Sequence, residues 1–285
     1  MSIHNKKPIG ILTFSQWHGT PNLGSSRIRA EWLVKYWKEA ELFQQGAQYD
    51  VIIFQKAYWP EYCKEFKGIK ILDLCDPDWL GGVPVKEMIC ECDAVVTATE
   101  ELAMEIRKIT DIPVVCIPDR VDLEFHSEQK SHRGIAKWVC WFGYSHNSVL
   151  LDMVIPSLEK NKLYLKVISD GRPPYKKAHK NVKYDWENPL FDFNREVTKC
   201  DFVIMPPDNR SKGRFKSNNK TITSWALGMP VASNDKDVMR FMDPLEREKE
   251  KELRLKEVKE NWDVRTSVKE YQDLIKKLKD GHKRR

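Results

Sequence analysis

The chain has no run approaching the roughly 18 consecutive apolar residues that a membrane span requires. Its first residues, MSIHNKKPIGILTFSQWHG, hold only a short apolar run and no small-residue cleavage site. The expectation is a cytoplasmic protein made without export and without a transmembrane segment. Other signatures are missing as well. No G-x-G-x-x-G follows the first strand-like run, and there is no G-x-x-x-x-G-K-[ST], no G-x-S-x-G and no H-E-x-x-H. These absences disfavour the common dinucleotide, P-loop, α/β-hydrolase and zinc-protease sites. Cys90 and Cys92 form a C-x-C with no second pair at zinc spacing, so no metal site is expected. The seven cysteines are odd in number, and several lie in apolar runs, as at Cys116 and Cys140. They read as reduced core residues.

What is present is enough apolar sequence for a real core, 41% hydrophobic against 32% charged, over 285 residues. That length suits one large domain or two ordinary ones. The formal net charge is +6 and is unevenly placed. Lys276–Arg285 carries +5 and Gly171–Lys183 another +5, which leaves the rest of the chain at −4. The body is near-neutral to acidic with two basic patches.

Strand-like and helix-like segments alternate. Pro8–Phe14 reads as a buried first strand, followed by a loop rich in Gly, Pro, Ser and Asn. Arg27–Phe43 has Ile28, Trp32, Leu33 and Trp37 at helical spacing, with Ser25 or Ser26 as cap. Strands are expected at Tyr49–Gln55, Lys70–Leu74, Asp93–Ala98 and Pro113–Ile117. Helices are expected at Pro60–Phe66, Lys86–Cys92 and, capped by Thr99, Glu100–Thr110. A polar stretch, Asp122–Ile135, reads as a linker. A second series follows: strands Lys137–Phe142, Leu163–Ser169, Asp201–Met205 and Pro230–Ser233, with helices Asn147–Leu158, Asn194–Thr198 and Lys220–Leu227. Charged helices over Asp237–Lys259 and Val264–Lys279 end the chain. Strands apolar on both faces, alternating with helices, predict two doubly wound parallel sheets, with ligands at the strands' carboxyl ends in a central cleft.

The candidate functional residues cluster where strands end. Gly24, Ser25, Ser26 and Arg27 begin a helix and suit an anion. Gly143, Tyr144 and Ser145, with His146 and Asn147, form the corresponding loop of the second series. Lys212–Thr221 (KGRFKSNNKT) sets Arg214, Lys216, Asn218, Asn219, Lys220 and Thr221 just before a helix, a composition that suits a diphosphate. Asp73, Asp76 and Asp78 lie at a strand end, where a carboxylate serves as base or binds sugar hydroxyls. His18 is a second base candidate and His146 a third. For each group the alternative is a solvated loop, a turn or a cap.

The order of these pieces resembles the GT-B glycosyltransferases, in particular the group 1, or family 4-like, enzymes. CDAVVTATEELAMEI followed by IPVVCIPDRVDLEFH is similar to that group's a-D-x-v-x-x-x-S/T-x-x-L and v-x-v-I-P-N-G-V-D-x-x-x-F, with Asp119-Arg120 in place of Asn-Gly. KWVCWFGY resembles the start of a donor domain, and ITSWALGMPVASND resembles l-E-A-m-A-x-G-x-P-V-v-a-s. The resemblance implies two Rossmann-like domains: an acceptor domain over 1–124, a linker over 125–135 and a nucleotide-sugar domain over 136–260. A crossing helix and basic tail would fill 261–285. It implies a nucleotide-diphosphate sugar as co-substrate, with UDP-glucose as the default, and no obligatory metal. The chain departs from the pattern at the Glu-x7-Glu pair, whose positions fall on Phe215 and Thr223, and at the Arg and Lys after the donor-loop glycine, where Tyr144, Ser145 and His146 stand. Phosphate neutralisation then falls to Arg214, Lys216 and Lys220, with Arg27. The acceptor-domain position often held by His falls near Cys75-Asp76, which makes Asp76 the leading catalytic candidate. The expected activity is sugar transfer to a hydroxyl, with a hydroxymethylated base in phage-type DNA as the first acceptor considered. The alternatives are a lipid-linked or polysaccharide acceptor at a membrane surface, with peripheral membrane contact, and an inactive protein that binds nucleotide sugar or nucleic acid.

Overall fold

The computed structural model describes residues 7–20, 23–171, 173–184 and 192–282. It separates into two compact units. The first comprises Met1–Arg120, Arg214–Ser217 and Val264–Arg285; the second comprises Val121–Gly213 and Asn218–Asp263.

In the first unit β1 (Ile9–Thr13) is followed by α1 (Phe14–His18) and α2 (Gly24–Ser26). A π-helical turn, Arg27–Glu31, then runs into α3 (Trp32–Tyr36). Next come β2 (Ala40–Leu42), β3 (Val51–Gln55), α4 (Pro60–Glu65), β4 (Ile69–Leu74), α5 (Val85–Cys90), β5 (Ala94–Thr97), α6 (Glu100–Arg107) and β6 (Val114–Cys116). All pairings are parallel, in the order β2-β1-β3-β4-β5-β6. β1, β3 and β5 are buried along their whole length, as apolar runs rich in Val and Ile require.

The second unit holds β7 (Trp138–Phe142), α7 (Ile155–Lys160), β8 (Tyr164–Ser169), β9 (Lys180–Lys183), α8 (Phe193–Thr198) and β10 (Phe202–Ile204). It ends with α9 (Asn219–Ala226), β11 (Val231–Ala232), α10 (Asp235–Arg240) and α11 (Pro244–Asn261). Its sheet is also parallel, ordered β11-β10-β7-β8-β9. On β7 alternate residues enter different cores: Val139 and Trp141 pack with Leu165, Val167 and Phe202, while Cys140 and Phe142 pack with Ile168 and Val203. Both faces of the sheet are therefore covered.

The final helix, α12 (Val264–His282), belongs to the first unit. Val264, Val268, Tyr271, Leu274, Ile275 and Leu278 form its buried stripe, at the three-to-four spacing of an amphipathic helix. Tyr271 meets Trp37 at 6.0 Å between ring centroids.

The expected α/β architecture of two parallel sheets is present, and several expected elements are differently built. The helix expected over Arg27–Phe43 stops at Tyr36, and Ala40–Leu42 pairs with β1 instead, because Ala40 is fully buried there and a sheet edge was open. Ser26 does not cap that helix: its hydroxyl is buried against Ser15 and Gln55. Asn147–Leu158 is not one helix. A 3-10 helix over Ser145–Met153 gives way to α7 around Pro156, which has no N–H to continue the ladder. Pro244 likewise starts a new helix within the expected Asp237–Lys259, with Asp243 as its cap. The basic stretch Gly171–Lys183 contains edge strand β9, which the sequence reading missed; Arg172 and residues 283–285 of the other patch lie outside the described residues.

The segment expected as a linker is anchored in the second unit. His126 shares a 2.8 Å hydrogen bond with Asn194, and Lys130 N–H donates to Leu227 O. His132 is buried, and its Nε2 lies 2.8 Å from the Gly228 carbonyl. A carbonyl only accepts, so Nε2 carries the proton, and Nδ1 accepts from Arg247 Nε at 3.4 Å. Arg247 itself is fully buried on the carbonyls of Gly134, Phe241 and Met242.

Buried charged and polar groups set the stability of both units. In the first unit Arg29 bridges Asp73 at 2.7 Å and Asp119 at 2.8 Å, all three buried. Arg29→Leu strands two buried carboxylates and is expected to cost about 3–5 kcal/mol in urea unfolding. Tyr271→Phe removes a single hydrogen-bonding hydroxyl from Asp73 and is expected to cost about 1–3 kcal/mol. In the second unit, burial and then Arg247 hold the His132 imidazole below its usual range, against the Gly228 bond. The unfolded chain then binds the proton first. This part of the stability is full above about pH 6.5 and is lost as the pH falls toward the native value. His132→Gln keeps a donor and an acceptor but takes no proton, so it should flatten the slope of urea midpoint against pH between 7 and 5.

Candidate functional site

In the first unit the candidate residues gather at the carboxyl ends of β1, β3 and β4. Lys56 follows β3 with φ of +52°, an uncommon conformation for a residue with a side chain. Its ammonium lies 2.6 Å from Asp76 Oδ2 and 3.2 Å from Asp78 Oδ2. Lys216, from the segment Arg214–Ser217 of this unit, holds the other Asp76 oxygen at 2.5 Å. The Tyr58 hydroxyl donates to Asp78 Oδ2 at 2.5 Å. Lys56 also lies 5.5 Å from the centre of the Phe14 ring.

This pairing sets the proton affinities. Burial alone raises the Asp76 carboxyl, but Lys56 and Lys216 outweigh it and hold it below the usual carboxylate range. Burial disfavours the Lys56 ammonium, and Cys75, Asp76 and Asp78 more than offset that, so it stays protonated. Tyr58 is pushed up by burial and then by Asp78, and remains a donor. With both oxygens on ammonium groups, Asp76 is held as a carboxylate of depressed proton affinity.

His18 stands apart from that network. It is exposed at the end of α1, shares a 2.7 Å hydrogen bond with Thr20 Oγ1, and stacks on Phe14 at 4.9 Å and 11°. Gly24 and Ser25 are half-buried at the start of the helical stretch. Half-buried Arg27 faces Glu31, whose carboxyl is raised by burial and drawn back by that guanidinium.

Deeper in this unit Arg29 forms a network that the sequence reading did not identify. Its Nη1 also donates to the Ile117 carbonyl at 3.0 Å, and the Tyr271 hydroxyl donates to Asp73 Oδ2 at 2.6 Å. Ser217 donates to the second Asp119 oxygen at 2.6 Å. Burial opposes charge on Arg29, but Asp73, Tyr271 and Asp119 hold the guanidinium well above its ordinary value. Burial raises the Asp73 carboxyl; with its oxygens on Arg29 and Tyr271 we assign the pair as ionised. Arg120 reaches α12 as well, at 2.9 Å from Ser267 Oγ and Glu270 Oε1.

The second unit brings together a different set. Gly143 ends β7, and the Lys220 side chain lies on it: a Cβ placed there would come within 2.6 Å of Lys220 Nζ and 3.1 Å of Trp141. Lys220 Nζ is 5.0 Å from the Trp141 ring centre. Ser145 N–H donates to Asp170 at 2.7 Å, and exposed Tyr144 stacks with His146 at 5.8 Å and 14°. Asn218 is the N-cap residue of α9 without a side-chain cap bond, and Asn219, Lys220 and Thr221 form its first turn. The Asn219 Nδ2 amide is buried with no hydrogen-bond partner among the described residues.

The expected donor loop is thus divided. Asn218–Thr221 stays with Gly143, whereas Lys216 pairs with Asp76 and Arg214 lies 3.4 Å from Glu105 and stacks on Phe215 at 4.4 Å. Phe215 and Thr223, where the family's glutamates would stand, are both buried. Among the described residues no three His, Cys, Asp or Glu side chains group as a metal ion needs, and no helix is long and apolar enough to cross a membrane. A crevice of about 310 Å³, lined by Pro8, Trp37, Gln272, Ile275 and Lys279 among others, opens at the amino end of β1, away from these clusters.

No family model matches the chain, and no curated protein matches its sequence. Solved structures do match. An alpha,alpha-trehalose-phosphate synthase (UDP-forming) from Burkholderia vietnamiensis superposes with a TM-score of 0.52 at 11% identity, over 82% of this chain and 73% of that one. A chain of the GtfA/B complex superposes with a TM-score of 0.50 at 10% identity, over 81% of this chain. The present chain spans only 57% of that second protein's length. Likeness at such low identity speaks to fold alone, and the fold is of the GT-B type, with two Rossmann-like parallel-sheet units.

Proposed function

We propose that the protein transfers a sugar from a nucleotide-diphosphate donor to a hydroxyl acceptor. The observation that carries this reading is the Lys220 ammonium seated on Gly143 at the end of β7, in the first turn of α9. The amino end of α9, a cation and the buried Asn219 amide, which has no hydrogen-bond partner among the described residues, meet there. A diphosphate suits that combination. The second unit is read as the donor part, with Tyr144 and Ser145 beside the phosphates, and the first unit as the acceptor part.

The base in this reading is His18 rather than Asp76. Imidazole is the side chain most often used as a general base, and Asp76 is held ionised between two lysines. The acceptor hydroxyl forms a bond to the anomeric carbon and gives its proton to a general base. The bond from that carbon to the phosphate oxygen breaks, and the nucleoside diphosphate leaves with the electron pair, stabilised by Lys220. Lys56, Tyr58, Asp76 and Asp78 keep the acceptor side rigid. UDP-glucose is the first donor to test, since one structural neighbour is UDP-forming by its description.

A second reading is favoured by one observation. The positions of the family's glutamate pair are the buried Phe215 and Thr223, which favours a nucleotide-sugar binder without turnover.

The test is calorimetry and donor hydrolysis with UDP-, ADP-, GDP- and dTDP-sugars. Lys220→Ala is expected to weaken nucleotide binding tenfold or more. Gly143→Ala should displace the ammonium and strain a residue at φ of +154°, costing about 1–3 kcal/mol in unfolding and weakening the same binding. His18→Gln should leave donor binding unchanged and lower transfer by about 10²–10⁴. Binding without turnover selects the second reading. Neither binding nor turnover with any of these donors removes both.

A further inference from the structure

The surface around His18 narrows the class of acceptor. Trp17 precedes His18 on α1 and is 37% exposed. Its indole is propped by two rings of the same unit, Tyr58 edge-on at 5.8 Å and 83°, and Phe14 tilted at 5.9 Å. Tyr58 is in turn fixed by its hydrogen bond to Asp78. A rigid, partly open indole thus sits beside an imidazole, one side chain away from a carboxylate. Large apolar rings flanked by a few polar groups hold a flat molecule by its face and orient it by its rim.

Charge separates the flat molecules that fit. In this cluster Lys56 and Lys216 stand against Asp76 and Asp78, so the four groups sum to zero. The neighbouring Arg27 is set against Glu31. Binding a nucleic acid draws on Lys and Arg groups that neutralise phosphates, and here the lysines are already committed to carboxylates. We infer that Trp17 is the stacking platform for a neutral carbohydrate acceptor: a pyranose lies with its apolar C–H face on the indole and directs a hydroxyl toward His18. The word acceptor rests on the glycosyltransferase reading, whereas the carbohydrate binding itself does not require turnover.

Saturation-transfer NMR and calorimetry of the full chain with the neutral disaccharides maltose, cellobiose and lactose test this directly. At least one is expected to bind, with an affinity that changes less than twofold between 50 and 300 mM salt. Trp17→Ala should weaken it tenfold or more, with an unchanged thermal melt, and Trp17→Phe less than threefold. Failure of all three sugars to bind overturns the inference, as does equal binding by Trp17→Ala. Salt-sensitive binding of duplex DNA carrying hydroxymethylated bases, lost in Trp17→Ala, overturns it too. Nucleotide-sugar turnover without disaccharide binding overturns the inference and leaves the glycosyltransferase reading standing. Disaccharide binding without turnover supports the inference and removes that reading.

Discussion

A buried guanidinium between two buried carboxylates holds the first unit together. Arg29 reaches Asp73 at the end of β4, Asp119 after β6 and the Tyr271 hydroxyl on α12. These residues are far apart in sequence, and none has an inexpensive alternative once the others are buried. An unpaired ion in that position would cost several kcal/mol, so in the folded state the burial of each segment depends on the others. The network also explains the chain's departure from the Asn-Gly of its resembled family. Asp119 supplies the second counter-charge for Arg29 and accepts from Ser217, and Arg120 binds Glu270 on α12. Where the family pattern has Asn-Gly, this chain has Asp119 bonded to Arg29 and Arg120 bonded to its last helix.

The same reasoning, applied nearer the surface, separates ordering groups from reactive ones. Asp76 sits where a catalytic carboxylate would be sought, yet each of its oxygens is on a lysine. That arrangement stabilises the anion. His18 has a different setting, with one ring nitrogen bonded to Thr20 and a face on Phe14, and on that contrast the proposed reading takes His18 as the base.

Much of the fold was legible because the strands are buried on both faces. Runs such as Val51–Gln55 and Ala94–Thr97 have no solvent-facing residues to blur the pattern, and their length separates them from helices. Thr99 announced its helix, and its hydroxyl does accept from Leu102 N–H. Short elements decided by partners were not legible. Ala40–Leu42 continues a helical pattern in sequence, and only the vacant edge of β1 makes it a strand. Within the candidate site Asp76, Asp78 and His18 were visible as polar residues at strand ends. Lys56 and Tyr58 were not, because a lysine and a tyrosine after an apolar run look like any surface turn. Lys56 faces the carboxylates through its unusual backbone angle, which no spacing rule signals. Arg29, which beside Arg27 at a helix start reads as an anion-binding guanidinium, is instead buried on two carboxylates of its own unit. A cation on a helix reads as exposed until its partners are seen to be buried.

The placement of positive charge then acquires a physical account. Lys180 and Lys183 are exposed on β9, the edge of the second sheet, where lysines discourage another strand from pairing. Lys276, Lys277 and Lys279 lie on the solvent side of α12, opposite its apolar stripe and in its last turns, where cations favour the helix's negative end. The described lysines of both basic patches therefore have a role in their own elements. The cations of the candidate clusters are few and individually placed: Lys56 and Lys216 on Asp76, and Lys220 at the end of β7. On the proposed sugar-transfer reading, lysines balanced by carboxylates suit an uncharged acceptor, and strong positive charge is needed only where a diphosphate departs.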